Sequence, residues 1–271
     1  MVSLQSVNEM AKPGEITNEE LVALARDLHP LIGFQVDALS LPVEALRGFE
    51  PSQIGTLVGA LFDACIPVLP QIPEVGITKH EGILGDREGY PDYLHRSGKR
   101  LELKLLYVDN PELPIKRPKT AREPSARLTQ KVTLKNVDPR RDAMLLIAYQ
   151  LRLNQRTPPA VSPTIIDLAV FPMVRLVMAR DQRMMDAGGR WFGNYETPTI
   201  PSRIGQVKLK KGKRIAKSTY ARKESEGKDL NEDTNFGKLK RIPYRPLQEF
   251  LKKHGADFSH QGTSTDSWTL D

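Results

Sequence analysis

The sequence predicts one α/β or α+β domain with a helical N-terminal part. Helix signals fill the first 70 residues, strand signals dominate the middle of the chain, and mixed elements follow. Of the 271 residues, 39% are hydrophobic and 27% are charged. This composition is ordinary for a globular chain, and it excludes collagen-like, coiled-coil and wholly disordered classes.

Two helices are predicted in the N-terminal part. Thr17 and Glu20 have the spacing of a capping box, so a helix of about a dozen residues should follow and end near Pro30. A second helix begins at Pro51-Ser52. Its apolar positions recur every three or four residues, as expected of one buried helix face: Ile54, Leu57, Val58, Leu61, Phe62, Cys65 and Ile66.

Strands are predicted next. Residues 99–108 alternate charged and apolar side chains as far as Leu105, which is typical of a strand with one buried face. The four prolines of residues 110–125 predict an extended loop. Further strands are predicted at 132–134, 143–149 and 165–171, and helices at 174–186 and 246–253.

One motif in this region carries chemistry. Pro91-Asp92 is followed, after nine residues, by Glu102-Leu103-Lys104. Glu102 and Lys104 are two apart on a predicted strand, so they share one face, which we expect to be exposed. Leu101, Leu103 and Leu105 should point the other way, into a core. Mg²⁺ prefers oxygen ligands, commonly one or two carboxylates with water and phosphate.

Pro91-Asp92 and Glu102-Leu103-Lys104 resemble the motif of the PD-(D/E)xK nuclease superfamily, which includes most type II restriction endonucleases. The resemblance covers this segment alone. It implies a restriction-endonuclease-like core, with a central mixed sheet flanked by helices. It also implies metal ligation by Asp92, Glu102 and the Leu103 carbonyl, with Lys104 acting on the attacking water or stabilising the transition state.

The resemblance sets the predicted organisation of the chain. A single nuclease domain would span residues 1–254. It would comprise a helical part at 1–70, a catalytic core at about 71–190 and a DNA-contacting part at about 191–254, followed by a polar tail at 255–271.

The turn between the two halves of the motif decides whether the acids meet. If the turn has three residues, Arg96 to Gly98, Asp92 lies opposite Glu102. If it has two residues, Asp92 lies opposite Leu103 and points away, unless a bulge corrects the register. The resemblance also implies a third acidic ligand from an upstream helix or loop, and the sequence leaves five candidates: Glu50, Asp63, Glu81, Asp86 and Glu88.

Basic residues are concentrated in the second half of the chain. Residues 1–112 hold 9 basic and 17 acidic residues, whereas residues 113–271 hold 31 and 16, and the net charge is +7. The stretch 203–223 has nine basic residues and no acid. It is predicted to contact DNA, chiefly at phosphates, through Arg203, Lys208, Lys210, Lys211, Lys213, Arg214 and Lys217.

The resemblance, together with the basic second half of the chain, implies a Mg²⁺-dependent endodeoxyribonuclease, with Mn²⁺ able to substitute, that cuts double-stranded DNA at a specific sequence as a type II restriction enzyme. Such an enzyme would be a homodimer with a cognate DNA methyltransferase encoded nearby. A repair or junction-resolving nuclease on the same core, and a non-catalytic nucleic-acid-binding protein, remain alternatives. A single cysteine, no long apolar run and no signal-like start predict a cytoplasmic location and no membrane partner.

Overall fold

A six-stranded mixed β-sheet lies at the centre of the fold. The computed structural model describes residues 14–36, 40–65, 72–80, 89–116, 126–128, 132–154, 157–186 and 237–255. The strands are β1 (Leu41–Pro42), β2 (Ile77–Lys79), β3 (Tyr93–His95), β4 (Arg100–Val108), β5 (Asp142–Leu153) and β6 (Ala160–Pro172). Their order across the sheet is β1-β6-β5-β4-β3-β2.

Five α-helices accompany the sheet in the described part of the chain. They are α1 (Asn18–Leu28), α2 (Pro51–Cys65), α3 (Ile72–Val75), α4 (Met173–Asp186) and α5 (Arg245–Lys253). Short 3₁₀ helices span His29–Leu31, Val43–Gly48 and Leu239–Arg241. The predicted capping box is present, because the Glu20 N–H donates to the Thr17 hydroxyl and the Thr17 N–H donates to the Glu20 carboxylate. None of the helices among the described residues combines the length and the apolar character that crossing a bilayer requires.

Helices cover both faces of the sheet. Ala143, Leu145 and Ile147 of β5 pack in a core cluster with α1 and with Phe62 of α2. Met144, Leu146 and Ala148 pack in another cluster with α4 and α5. Successive residues of a strand point to opposite faces, so β5 separates two helical layers. The predicted mixed α/β architecture is confirmed at this level.

Only β4 and β5 run parallel among the paired strands described, whereas the pairs on either side are antiparallel. A parallel pair needs a crossover connection, and residues 109–141 provide it. The strand predicted at 132–134 is wrong, because a turn occupies this part of the crossover. The Asn136 N–H donates to the Thr133 carbonyl at 2.9 Å, and the Thr133 hydroxyl donates to the Asn136 side chain at 2.7 Å. Side-chain bonds of this kind favour turns over ladders.

Candidate active site

The hairpin of β3 and β4 carries the motif. Its turn has three residues, Arg96 to Gly98, because the His95 N–H donates to the Lys99 carbonyl at 2.8 Å. Gly98 has φ +80°, a left-handed conformation that glycine adopts without steric cost. Of the two turn lengths that the sequence allows, the structure has the three-residue turn.

The register that follows brings the two acids together. Tyr93 pairs with Leu101 and Leu94 with Arg100. Asp92 directly precedes β3, and its carboxylate contacts β4 at Leu103, the neighbour of Glu102. The Asp92 N–H donates to the Leu101 carbonyl at 3.0 Å. The Asp92 carboxylate accepts the Leu103 N–H at 2.7 Å, which fixes Oδ2 against β4. In a regular ladder the Leu103 N–H would donate to a backbone carbonyl of the neighbouring strand. Here it donates to the Asp92 carboxylate instead.

Lys104 lies beside Glu102 on the same face, as the two-residue spacing predicts. Its ammonium donates to Glu102 Oε1 at 2.5 Å and to the Leu103 carbonyl at 3.0 Å. Leu101, Leu103 and Leu105 pack on the other face, in the cluster that contains α1. The predicted division of β4 into an apolar and a charged face is confirmed.

The charged face is only partly open. Asp92 and Lys104 are partly exposed, but the expectation that Glu102 is exposed is wrong. Glu102 is only 3% exposed. It pairs with Met144 of β5, which belongs to the core cluster beneath α4 and α5, so the helical layer reaches over this face as well. Burial raises the pKa of the Glu102 carboxyl to about 7, the Lys104 ammonium opposes this rise, and the nearby Asp92 carboxylate adds to it.

The two carboxylates form an arrangement that suits a cation. Glu102 Oε2 is buried, and no hydrogen-bond donor within the described part of the chain reaches it. The Asp92 carboxyl lies within hydrogen-bonding reach of the Glu102 carboxyl, and both this contact and its charge raise the Glu102 pKa. Among the described residues, no group of three or more His, Cys, Asp or Glu side chains could hold a metal ion. A divalent ion here would be bound by the Asp92 and Glu102 carboxylates. The resemblance adds one further protein oxygen, the Leu103 carbonyl.

The third acidic ligand is not assigned. Glu81, Asp86, Glu88 and the side chain of Asp63 lie outside the described residues. Glu50 is described, and its carboxylate lies 3.5 Å from the Lys116 ammonium.

The predicted DNA-contacting residues of the stretch 203–223 also lie outside the described residues. All the basic residues of the crossover that the structure describes are exposed: Lys116, Arg127, Lys135, Arg140 and Arg141. Arg141 Nε donates to the Gly98 carbonyl at 3.1 Å, so a basic side chain of the crossover contacts the turn of the motif hairpin.

A buried polar network beside the acids was not foreseen. The Asp142 carboxylate accepts the Tyr90 hydroxyl at 2.6 Å and both Arg100 Nε and Nη2, at 2.5 and 2.6 Å. One signal was present in the sequence: Asp142 directly precedes the long apolar run 143–149, as the last of three consecutive charged residues. A charge in that position must find a partner when its strand is buried.

No protein-family model, curated protein or solved structure matches this chain. The resemblance to the PD-(D/E)xK superfamily therefore rests on the residues of the chain itself and on the geometry described above.

Proposed function

We propose that this protein is a Mg²⁺-dependent endodeoxyribonuclease of the PD-(D/E)xK type, with Asp92, Glu102 and Lys104 as its catalytic residues. The observation that carries the proposal is the register of the β3–β4 hairpin. It brings the Asp92 carboxylate to the Leu103 N–H at 2.7 Å, next to Glu102, and the Lys104 ammonium lies 2.5 Å from Glu102. The mixed sheet with helices on both faces agrees with the core that the resemblance implies.

The residues present fit a divalent cation. Two carboxylates and one backbone carbonyl leave further positions for water and substrate phosphate, which is how proteins commonly bind Mg²⁺. The buried Glu102 Oε2, with no donor among the described residues, is an oxygen that a cation would satisfy. When bound, the metal would polarise the phosphodiester and make a bound water more acidic.

The protein residues would divide the remaining work. Asp92 is oriented by the Leu103 N–H, so its carboxylate does not have to reorganise to act as a ligand. Glu102 is held by the strand beneath the helical layer. Lys104 would act on the attacking water, or its ammonium would stabilise the negative charge that develops on the phosphate in the transition state.

The proposed substrate is double-stranded DNA, and the proposed role is that of a type II restriction enzyme acting as a homodimer. The support is the charge of the chain: residues 113–271 carry a net charge of +15, opposite to that of DNA. Two identical active sites related by a two-fold axis would suit a palindromic site and would cut both strands.

The test is incubation with long duplex DNA and Mg²⁺, followed by mapping of the fragment ends. Discrete fragments with 5′-phosphate ends at one repeated sequence are expected. Asp92→Asn and Glu102→Gln should each lower the cleavage rate by about 1,000-fold or more, since each removes a charged ligand. Glu20→Gln is the matched control, because Glu20 also bonds a lysine, Lys99, but lies on α1.

The outcomes separate the alternatives. Cleavage only of junctions, nicks or mismatches would replace the restriction role by a repair role on the same site. Full activity in excess chelator, or wild-type rates in both site variants, would show that the motif is coincidental. Ca²⁺ should support DNA binding without cleavage, because its longer and looser coordination misplaces water and phosphate.

A further inference from the structure

The Asp142 carboxylate is the centre of a buried hydrogen-bond network next to the candidate site. Asp142 is 1% exposed. Besides Tyr90 and Arg100, it accepts the Asp138 N–H at 2.9 Å. Both carboxylate oxygens are thus used, and the Arg100 guanidinium bonds both of them in a bidentate pair.

The partners of Asp142 have a regular relation to the two acids. Tyr90 is two residues before Asp92, and Arg100 is two residues before Glu102. On β4 this spacing places Arg100 on the same face as Glu102. Asp142 itself pairs with Arg100 across the parallel β4–β5 ladder. Asp142 of β5 is therefore bonded to the residues that lie two positions before each proposed ligand, Asp92 and Glu102.

Burying the charges of this network carries a desolvation cost, which its hydrogen bonds offset. An ion pair removed from water gains little over apolar residues of the same shape, whereas losing one partner is strongly destabilising. Burial and the Asp142 carboxylate raise the pKa of the Tyr90 hydroxyl far above its usual range, so the phenol stays a hydrogen-bond donor. The geometry of the network is therefore specific, and it fixes the path of the chain from Tyr90 through the buried Pro91 to Asp92.

We propose that Asp142, through Tyr90 and Arg100, positions the Asp92 carboxylate beside Glu102 so that the two can bind one divalent cation. This inference rests on the proposed function and adds positioning residues to it. Without the Tyr90 bond, the segment before β3 can shift, and the bond from the Leu103 N–H to Asp92 Oδ2 loosens with it. Small displacements of ligands are enough to weaken metal binding.

The test uses Ca²⁺ as the probe, measured by titration calorimetry without DNA, together with Mg²⁺-dependent cleavage. Tyr90→Phe removes only the hydroxyl and should keep the fold. It should weaken Ca²⁺ binding by about 10-fold, the lower end of the range for groups that orient metal ligands. Cleavage should need correspondingly more Mg²⁺, and the rate at saturating Mg²⁺ should recover to near that of the wild type. Asp142→Asn should act in the same direction with a larger effect.

Tyr149→Phe is the matched control. Tyr149 is also a buried tyrosine, in a cluster with Ile54 and Val58, and its hydroxyl has no hydrogen-bond partner among the described residues. This variant should bind Ca²⁺ like the wild type. If Tyr90→Phe lowers the melting temperature but leaves the Ca²⁺ affinity and the Mg²⁺ requirement unchanged, the network is merely structural and the inference is overturned. If the wild type itself neither binds Ca²⁺ nor cuts DNA, the proposed function fails first and the inference falls with it.

Discussion

Lys104 bonds two of the oxygens that the proposed metal site would use, Glu102 Oε1 and the Leu103 carbonyl. An ammonium and a divalent cation cannot both be fully bound by the same oxygens. The lysine therefore has two opposed effects: it would assist the reaction, and it would compete with the metal for its ligands. Mutation can separate these effects, because binding and cleavage are measured independently.

We predict that Lys104→Met tightens Ca²⁺ binding and abolishes most cleavage. Removing a positive charge a few ångströms from the metal should increase the affinity by about 10-fold, which corresponds to ~1.4 kcal/mol. Calorimetric titration at pH 8 and cleavage assays in Mg²⁺ would measure the two effects on the same preparation.

Lys99→Met is the matched control for Lys104→Met. Lys99 has a similar burial and also bonds a glutamate and a backbone carbonyl, those of Glu20 and Arg140. The Lys99→Met variant should bind Ca²⁺ with the affinity of the wild type. Weaker Ca²⁺ binding in Lys104→Met than in the wild type would mean that the lysine supports the ligands and does not compete with the metal.

The turn of the β3–β4 hairpin is the element that sets the site. Its length determines which residue of β4 lies across from Asp92, because a shift of one residue moves a side chain to the other face. Gly98 allows this turn through its positive φ, and a Cβ at this position would meet no atom within 4 Å. The cost of a substitution at Gly98 is therefore purely conformational.

Gly98→Ala should destabilise the protein by about 1–2 kcal/mol, the cost of a left-handed conformation for a residue with a Cβ. Gly98→Asn should lower the free energy of unfolding by less, since asparagine tolerates the left-handed backbone conformation better than alanine does. Urea unfolding would measure both, with Gly48→Ala as the control: Gly48 is also open to a Cβ but lacks a positive φ. Equal losses in Gly98→Ala and Gly48→Ala would show that the turn conformation is not what matters.

A second element, α5, is tied to the sheet through charge. Asp167 of β6 accepts the Lys253 ammonium at 2.5 Å and the His254 ring nitrogen at 3.0 Å. Burial alone would raise the pKa of Asp167, but the hydrogen bonds from His254 and Lys253 lower it to about 2. A carboxyl whose pKa is depressed on folding stabilises the protein above its unfolded pKa, and this contribution is lost as the pH falls towards 2.

Asp167→Asn should therefore cost stability at pH 5 and much less at pH 2.5. We expect a difference of about 1 kcal/mol at pH 5, less than the full shift because the Lys253 side chain is 59% exposed and screened. Denaturant unfolding at the two pH values would measure it. Glu249→Gln, which breaks an exposed pair with Arg245 on the same helix, should change stability by less than ~0.5 kcal/mol. If Asp167→Asn destabilises the protein as much at pH 2.5 as at pH 5, the Asp167 pKa is not lowered by these contacts.

Elements with strong local signals were predictable from the sequence. The Thr17 capping box and the apolar stripe of α2 determine their helices locally, and the alternation of β4 determines its two faces. Leu57, predicted to lie on the buried face of α2, is instead 38% exposed. The edge strands β1 and β2, of two and three residues, have no such signal and are formed by pairing with neighbours. The burial of Glu102 and the role of Asp142 were not predictable, because both depend on which layer covers the sheet.

At the scale of the whole molecule, charge is distributed unevenly along the chain. The acids of the proposed site belong to residues 1–112, which have a net charge of −8 and would repel DNA. Binding must then depend on the remaining residues, whose net charge is +15. The acid-free stretch 203–223 is the densest part of that excess.

We predict that replacing Lys208, Lys210, Lys211 and Lys213 by Gln weakens binding to all duplexes alike. Each lost phosphate contact should flatten the slope of log affinity against log salt by about 0.9, so the slope should fall by up to roughly 3 to 4. Binding isotherms at several salt concentrations in Ca²⁺ would measure it. If these lysines read bases instead, preference among sequences would collapse more than general affinity.

The control for this variant must remove the same net charge elsewhere, because total charge alone changes long-range attraction to DNA. Replacing Lys12, Arg26, Arg47 and Lys79 by Gln does so within the acidic half of the chain. We expect this control to lower affinity slightly and to leave the slope nearly unchanged, since no counterions are released where no phosphate is bound. Equal slopes in the two variants would mean that 203–223 acts only through net charge, and an unchanged slope in the first would remove the stretch from the DNA interface.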